Sequence, residues 1–218
     1  MTRAAVIVYH KNAFQIYKTE WIEMCINSIL KQTHSNFDIF ELNYDDKNES
    51  VFKVIPERHT FLKKKCINFI EGMNFLLDKV FNELNYDCCF NVNLDDYYAL
   101  NRFEKQLMYI NAGFDLVSSN LSYVNEDSNV IENKIFHKLN IRKQLIGGHN
   151  IIAHPVVCYS KKFWQNCGKY DPKEIKHEDL LLWKRTINSE QKFRFHIINE
   201  NLLFHRIHQG KVSTSNNT

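Results

Sequence analysis

The sequence predicts an α/β domain: a doubly wound, mostly parallel central sheet flanked by helices. Two observations carry that expectation. Short apolar runs rich in β-branched residues alternate with longer stretches whose apolar residues fall on one helical face, in the order strand, helix, strand, helix, strand. Only 6 Gly and 3 Pro among 218 residues leave little material for linkers or repeats, so one domain is expected over residues 1–210, followed by a polar tail, 211–218.

Each element has its own signal. Ala4 to Tyr9 is continuously apolar, as a strand buried on both faces must be. Ile22, Cys25, Ile26, Ile29 and Leu30 share one face of a helix over Glu20 to Gln32. Phe37 to Leu42 reads as the second strand, Lys64 to Leu84 as the second helix and Cys88 to Val92 as the third strand. Farther on, Asn101 to Ala112 is helical and Asp115 to Tyr123 a strand; Asn125 to Asn140 has weak patterning and reads as a loop or lid. Ile151 to Tyr159 reads as a strand interrupted by His154-Pro155, and Lys161 to Cys167 as a short helix closed by Gly168. A helix over Asp179 to Ile187 precedes two strands, Phe193 to Ile198 and Leu202 to Ile207.

Composition narrows the function. Hydrophobic residues at 44% and charged residues at 24% are those of a folded soluble domain, and a net charge of +3 does not point to nucleic acid. The one tight basic run, Lys63-Lys64-Lys65, reads first as a solvated loop or helix start and second as a phosphate-facing patch. Six cysteines form no C-x-x-C pair and sit mostly in apolar runs, which fits free thiols in a reducing compartment, so a cytoplasmic protein is expected. The opening MTRAAVIVYHKN is too short for a signal peptide or membrane span, and no other segment could cross a bilayer.

Three groups of residues could carry chemistry. Asp95 and Asp96, in NVNLDDYYALNRFEKQ, follow a strand; they either cap the next helix or hold a divalent cation, which favours oxygen ligands. Glu178 and Asp179, after His177, either serve a helix start or supply a general base. His205, Arg206 and His208 make a basic cluster suited to a diphosphate, with His208 a metal ligand or a surface residue. His149 and His154 line a pocket or fill one.

In order, these pieces resemble family 2 glycosyltransferases with the GT-A (Rossmann-like) fold. WIEMCINSILKQTHSNFDIFELN is similar to their first helix and second strand, and NLDDYYALNRFEKQ to their D-x-D metal motif and the helix after it. HPVVCYSKKFWQNCGKYD with HEDLLLWKR resembles their acceptor-side segment and E-D motif, and LLFHRIHQGKVS their closing R-x-H segment. The resemblance runs from about residue 4 to about 214. It implies an inverting, metal-assisted transfer (Mn2+ or Mg2+) of sugar from a nucleotide-diphosphate sugar to a hydroxyl of a glycan, lipid-linked or protein acceptor, hence a role in glycan biosynthesis. It implies Asp179 as base with Glu178 as the alternative, Asp95 as metal ligand with Asp96 assisting, and His208 as a further ligand. Arg206 would face the diphosphate, and Tyr9 and Asn12 would lie near the nucleotide. Two positions depart from the pattern: the first acid of D-x-D is Asn93, and the acid expected at the nucleobase is Asn43, with Asp45 and Asp46 just beyond. Those departures keep a second reading open, a degenerate GT-A domain that binds nucleotide or glycan without turnover. A nucleotidyltransferase is disfavoured because VIVYHKNAFQIYK contains no glycine for a phosphate loop.

Overall fold

The structure, a computed structural model, describes residues 2–53, 56–136 and 140–208. β1 (Ala4–His10) leads through a single helical turn, α1 (Ala13–Ile16), into α2 (Thr19–Leu30) and β2 (Phe37–Asn43). Then come β3 (His59–Lys63), α3 (Phe69–Asp78) continued by a π-helical turn, and β4 (Cys88–Val92). The second half holds β5 (Tyr97–Tyr98), α4 (Arg102–Asn111), β6 (Leu116–Val124), β7 (Val130–Lys134) and α5 (Ile141–Ile146). A 3₁₀ turn over His154–Val156 precedes β8 (Cys158–Ser160), α6 (Lys161–Cys167), α7 (Glu178–Asn188) and β9 (Phe195–Arg206).

The strands form one sheet in the order β3-β2-β1-β4-β8-β6-β9-β5, with β7 attached to β6. β1 pairs in parallel with β2 and β4, β2 with β3, and β6 with β9; β8 runs antiparallel between β4 and β6. β3, β2, β1, β4, β6 and β9 therefore share one direction, the mostly parallel sheet expected. The sheet separates two cores. Ala4, Val6 and Val8 of β1 face one, with Ile22, Cys25 and Ile29 of α2; Ala5 and Ile7 face the other, with Ile70, Met73 and Leu77 of α3 and Trp183 of α7. Strict alternation along a fully buried strand explains why β1 reads as an unbroken apolar run.

Several elements differ from expectation. The helix expected from Lys64 begins at Phe69. Residues 64 and 66 instead donate backbone bonds to Asn43 and Tyr44, and the Asn68 side chain accepts the Glu71 N–H, which caps α3. The strand expected over Ile151 to Tyr159 shrinks to β8, because His154-Pro155 opens a 3₁₀ turn and proline has no N–H for a ladder. Two expected terminal strands are one, β9, whose pairing with β6 shifts register around Asn120. The stretch read as a loop or lid contains β7, paired with β6, while residues 137–139 within it and the polar tail lie outside the described residues.

The helix-cap reading of the paired acids also falls. Asp95 lies in a turn, β5 follows Asp96, and α4 does not begin until Arg102, after Asn101.

Candidate functional site

The ends of β1, β2 and β4 open onto a cavity of about 460 Å³, where ligands of open parallel sheets bind. Asp95 and His208 stand on one part of its wall; Glu178 and Asp179 on another; Tyr9, Asn93 and His154 also line it.

The Asp95 wall is built into the fold. Asp95 Oδ2 is 3.2 Å from His208 Nε2, and both residues are buried. The His208 ring is held edge-on by Tyr17 and at 5.0 Å by Trp21. Asp96 turns away from the cavity: its Oδ1 accepts the Arg206 backbone N–H at 2.9 Å and its Oδ2 lies 3.0 Å from His205 Nδ1. The adjacent acids thus divide labour, one facing the cavity and one tying the turn after β4 to β9.

Arg206, expected to face the diphosphate, is wholly buried and off the cavity wall. Its Nε donates to the Asp95 carbonyl, and its Nη1 to the carbonyls of Asn125 and Glu126 and to Ser128 Oγ, each at 3.0 Å. The guanidinium lies 4.8 Å from the centre of the Trp21 ring. Five fixed donors suit a guanidinium to collecting several carbonyls at once.

Asn93 and Tyr9 are joined on the wall, the Tyr9 hydroxyl donating to Asn93 Oδ1 at 3.2 Å. Burial pushes the Tyr9 hydroxyl well above its ordinary range, so it remains a donor. Asn12 and Asn43 do not reach the cavity. Asn12 adopts a left-handed conformation at the start of α1 and accepts a bond from Lys47. Asn43 accepts the Asp45 N–H and donates to the Glu49 carbonyl, which shapes the loop after β2.

Glu178 and Asp179 occupy the first turn of α7, and Asn150 Nδ2 donates to Asp179 Oδ2 at 2.6 Å. Burial, and next the Asp179 charge beside it, raise the Glu178 carboxyl to about 7. His154 adjoins this side; its Nε2 is 3.2 Å from the Tyr170 hydroxyl, which is 2.8 Å from that of Tyr159.

Sequence reasoning missed one buried polar cluster. Glu41, in the middle of β2, lies 2.8 Å from both His10 Nε2 and His59 Nε2 and accepts bonds from Ser50 and Val51. Those bonds hold its carboxyl near 2 despite burial. His10 also lines the cavity. A carboxylate inside the apolar run FDIFELN was the available signal.

A divalent cation fits this site in part. Asp95 and His208 offer one carboxylate and one imidazole side by side, a donor set acceptable to Mn2+. Among the described residues no group of three or more His, Cys, Asp or Glu side chains is placed to hold a metal, so the remaining ligands would have to come from a bound diphosphate or water.

A mostly parallel sheet with its cavity at the strand ends and acids on two parts of the wall is the layout in which open α/β sheets bind ligands. No family model matches the chain. It is 24% identical over 203 residues to the O-antigen biosynthesis glycosyltransferase WbnJ of Escherichia coli, an alignment covering 90% of this chain and 78% of WbnJ. It is 26% identical over 197 residues to an uncharacterized glycosyltransferase, MJ1057, of Methanocaldococcus jannaschii, covering 86% of this chain and 66% of that protein. The fold superposes on S. aureus TarS 1–349, solved in complex with UDP-GlcNAc, with a TM-score of 0.71 and 15% identity over 98% of this chain. The chain spans 61% of that TarS chain. Sequence and fold together make the protein a GT-A-like glycosyltransferase.

Proposed function

We propose that the protein transfers a sugar from a nucleotide-diphosphate sugar to an acceptor hydroxyl with inversion at the anomeric carbon. The observation that carries this reading is one cavity with the Asp95–His208 pair and the Glu178–Asp179 pair on its wall. The UDP-GlcNAc bound by TarS supports a UDP-sugar as the first donor to test. A glycan or lipid-linked glycan is the acceptor class that the O-antigen relative supports. Six free, buried cysteines support a reducing compartment, the cytoplasm.

Asp179 accepts the proton of the acceptor hydroxyl, with Asn150 holding one carboxylate oxygen in place. The hydroxyl oxygen attacks the anomeric carbon as the bond to the diphosphate breaks, and the electron pair leaves with the diphosphate. Asp95 and His208 would hold Mn2+ or Mg2+, whose chemistry there is to offset the charge on that leaving group. Tyr9 and Asn93 would orient the donor from the β1 and β4 ends. One observation favours a second reading, Glu178 as base: its carboxyl sits at about 7, where proton acceptance at neutral pH is efficient.

Incubation with a donor panel, Mn2+ and acceptor glycans, followed by assay of free nucleoside diphosphate, tests the reading. Release that depends on acceptor is expected. Donor binding without release would leave the degenerate binding domain as the correct description.

A further inference from the structure

His154 takes no part in the transfer chemistry derived above, yet it lines the cavity while only 8% exposed. The turn that carries it is tied to both acidic parts of the wall. Its carbonyl accepts the Val157 N–H and a bond from Asn91 Nδ2, each at 3.2 Å, and Asn91 lies on β4 just ahead of Asn93 and Asp95. The Tyr98 hydroxyl accepts the Asn93 N–H at 2.9 Å and lies 3.3 Å from the Pro155 carbonyl. Four residues before His154, Asn150 holds Asp179. The turn thus links the β4 end that carries Asp95 to the start of α7.

Proton accounting fixes the state of the ring. His154 Nε2 is 3.2 Å from the Tyr170 hydroxyl and 3.3 Å from that of Tyr159, and the two hydroxyls are 2.8 Å apart. Both tyrosines are buried, so two phenol protons need acceptors among these three atoms. One hydroxyl donates to the other, and the second proton then has Nε2 as its acceptor. A proton on Nε2 would strand one phenol proton in the core. Burial also lowers the affinity of the imidazole for a second proton, an effect the Asp179 charge opposes in part. The ring is therefore neutral, with its proton on Nδ1. Among the described residues no protein group bonds Nδ1, and that atom is not enclosed in the core.

We propose that His154 is a specificity-determining residue whose Nδ1–H donates to an oxygen of the sugar being transferred. The assignment rests on the transfer reading. With the diphosphate at Asp95 and His208 and the acceptor hydroxyl at Asp179, the sugar is the group that lies across the space between them, where the His154 turn runs. A core that needed only filling could hold phenylalanine at 159 and 170; two phenols instead decide which nitrogen of the ring carries the proton. A fixed donor of this kind favours a sugar with an oxygen in place over one that lacks it, because the site's own polar group is otherwise left unpaired.

The test is calorimetric binding of UDP, UDP-GlcNAc, UDP-glucose and UDP-galactose, with Mn2+, to the full chain as wild type, His154→Gln and His154→Asn. The glutamine amide oxygen falls near the Nε2 position, where it can take the phenol proton, and leaves no donor near Nδ1; asparagine does the reverse. His154→Gln should bind the preferred UDP-sugar about tenfold more weakly with its affinity for UDP unchanged, whereas His154→Asn should stay within about threefold of wild type for both. Nitrogen-15 NMR of the histidine-labelled protein at neutral pH should show a neutral ring protonated at Nδ1 that is missing from both variants. The opposite order of the two variants, as a purely structural His154 would give, equal losses for UDP and UDP-sugar, or a His154 ring protonated at Nε2 would overturn the proposal. So would intact donor affinity with a raised acceptor KM in His154→Gln, which would place the ring on the acceptor. Failure of the wild-type protein to bind any of the UDP-sugars would instead contradict the donor reading, and this assignment with it.

Discussion

The two acidic parts of the cavity wall are made differently. Asp95 stands on a turn fastened from behind: Asp96 is bound by Arg206 and His205, and Arg206 in turn collects carbonyls from Asp95 to Glu126. Glu178 and Asp179 stand on the first turn of a helix, and among the described residues Asp179 is held by the side chain of Asn150, a bond from a loop. The first wall is rigid because buried polar groups must be satisfied or the fold is lost. The second has fewer such ties among the described residues, and the Glu178 carboxyl is raised chiefly by burial and next by the Asp179 charge beside it. Substitutions on the first wall should therefore register as stability and donor affinity, and those on the second as turnover and pH dependence.

The largest effect belongs to the second wall. Asp179→Asn should lower turnover by about 10²–10⁴-fold with the melting temperature nearly unchanged, measured by release of nucleoside diphosphate. Normal turnover in that variant together with loss in Glu178→Gln would transfer the base to Glu178.

On the first wall, Arg206→Ala should destabilise the protein by about 3 kcal/mol in urea unfolding, since it strands the buried Asp95 carbonyl and loosens the half-buried acceptors at Asn125, Glu126 and Ser128. Lysine at this position should rescue little, because one ammonium cannot span the same acceptors. An unchanged unfolding midpoint would show that the Arg206 network holds nothing together.

Two smaller effects follow pH. Glu178 titrates at about 7 in the folded protein against an ordinary 4.5, so the fold keeps a proton that the unfolded chain releases. Its contribution is present below about 4.5 and is lost as pH rises through about 7. Glu178→Gln should therefore raise the melting temperature relative to wild type at pH 8 and not at pH 4. Glu41 has the opposite sign: its carboxyl is held near 2 against an ordinary 4.5, so its contribution is present above 4.5 and disappears as pH falls toward 2. Glu41→Gln should flatten that part of the acid-unfolding profile, and a profile as steep as wild type would remove the His10–Glu41–His59 cluster from the account.

The contrast between the walls also explains what the sequence disclosed. β1, α2, β2 and β4 were legible because local periodicity and burial agree in a parallel sheet. Asp95, Glu178, Asp179 and His208, singled out by the order of their motifs along the chain, do line one cavity. Long-range bonds hid the rest. Nothing near Arg206 in sequence tells that its guanidinium reaches Asn125 and Ser128 rather than a ligand. β3 and β7 are short strands, the first with no fully buried residue and the second exposed throughout, so neither carries a strong apolar run. The cap reading of Asp95 and Asp96 failed because the two residues of β5, too few to show a period, stand before α4.

Donor affinity, measured by calorimetry in the presence of Mn2+ on Asp95→Asn and Asp179→Asn side by side, tests the division between the walls most directly. The account predicts roughly tenfold or greater loss of affinity for Asp95→Asn and near wild-type affinity for Asp179→Asn. Equal losses in both, or a loss confined to Asp179→Asn, would contradict it.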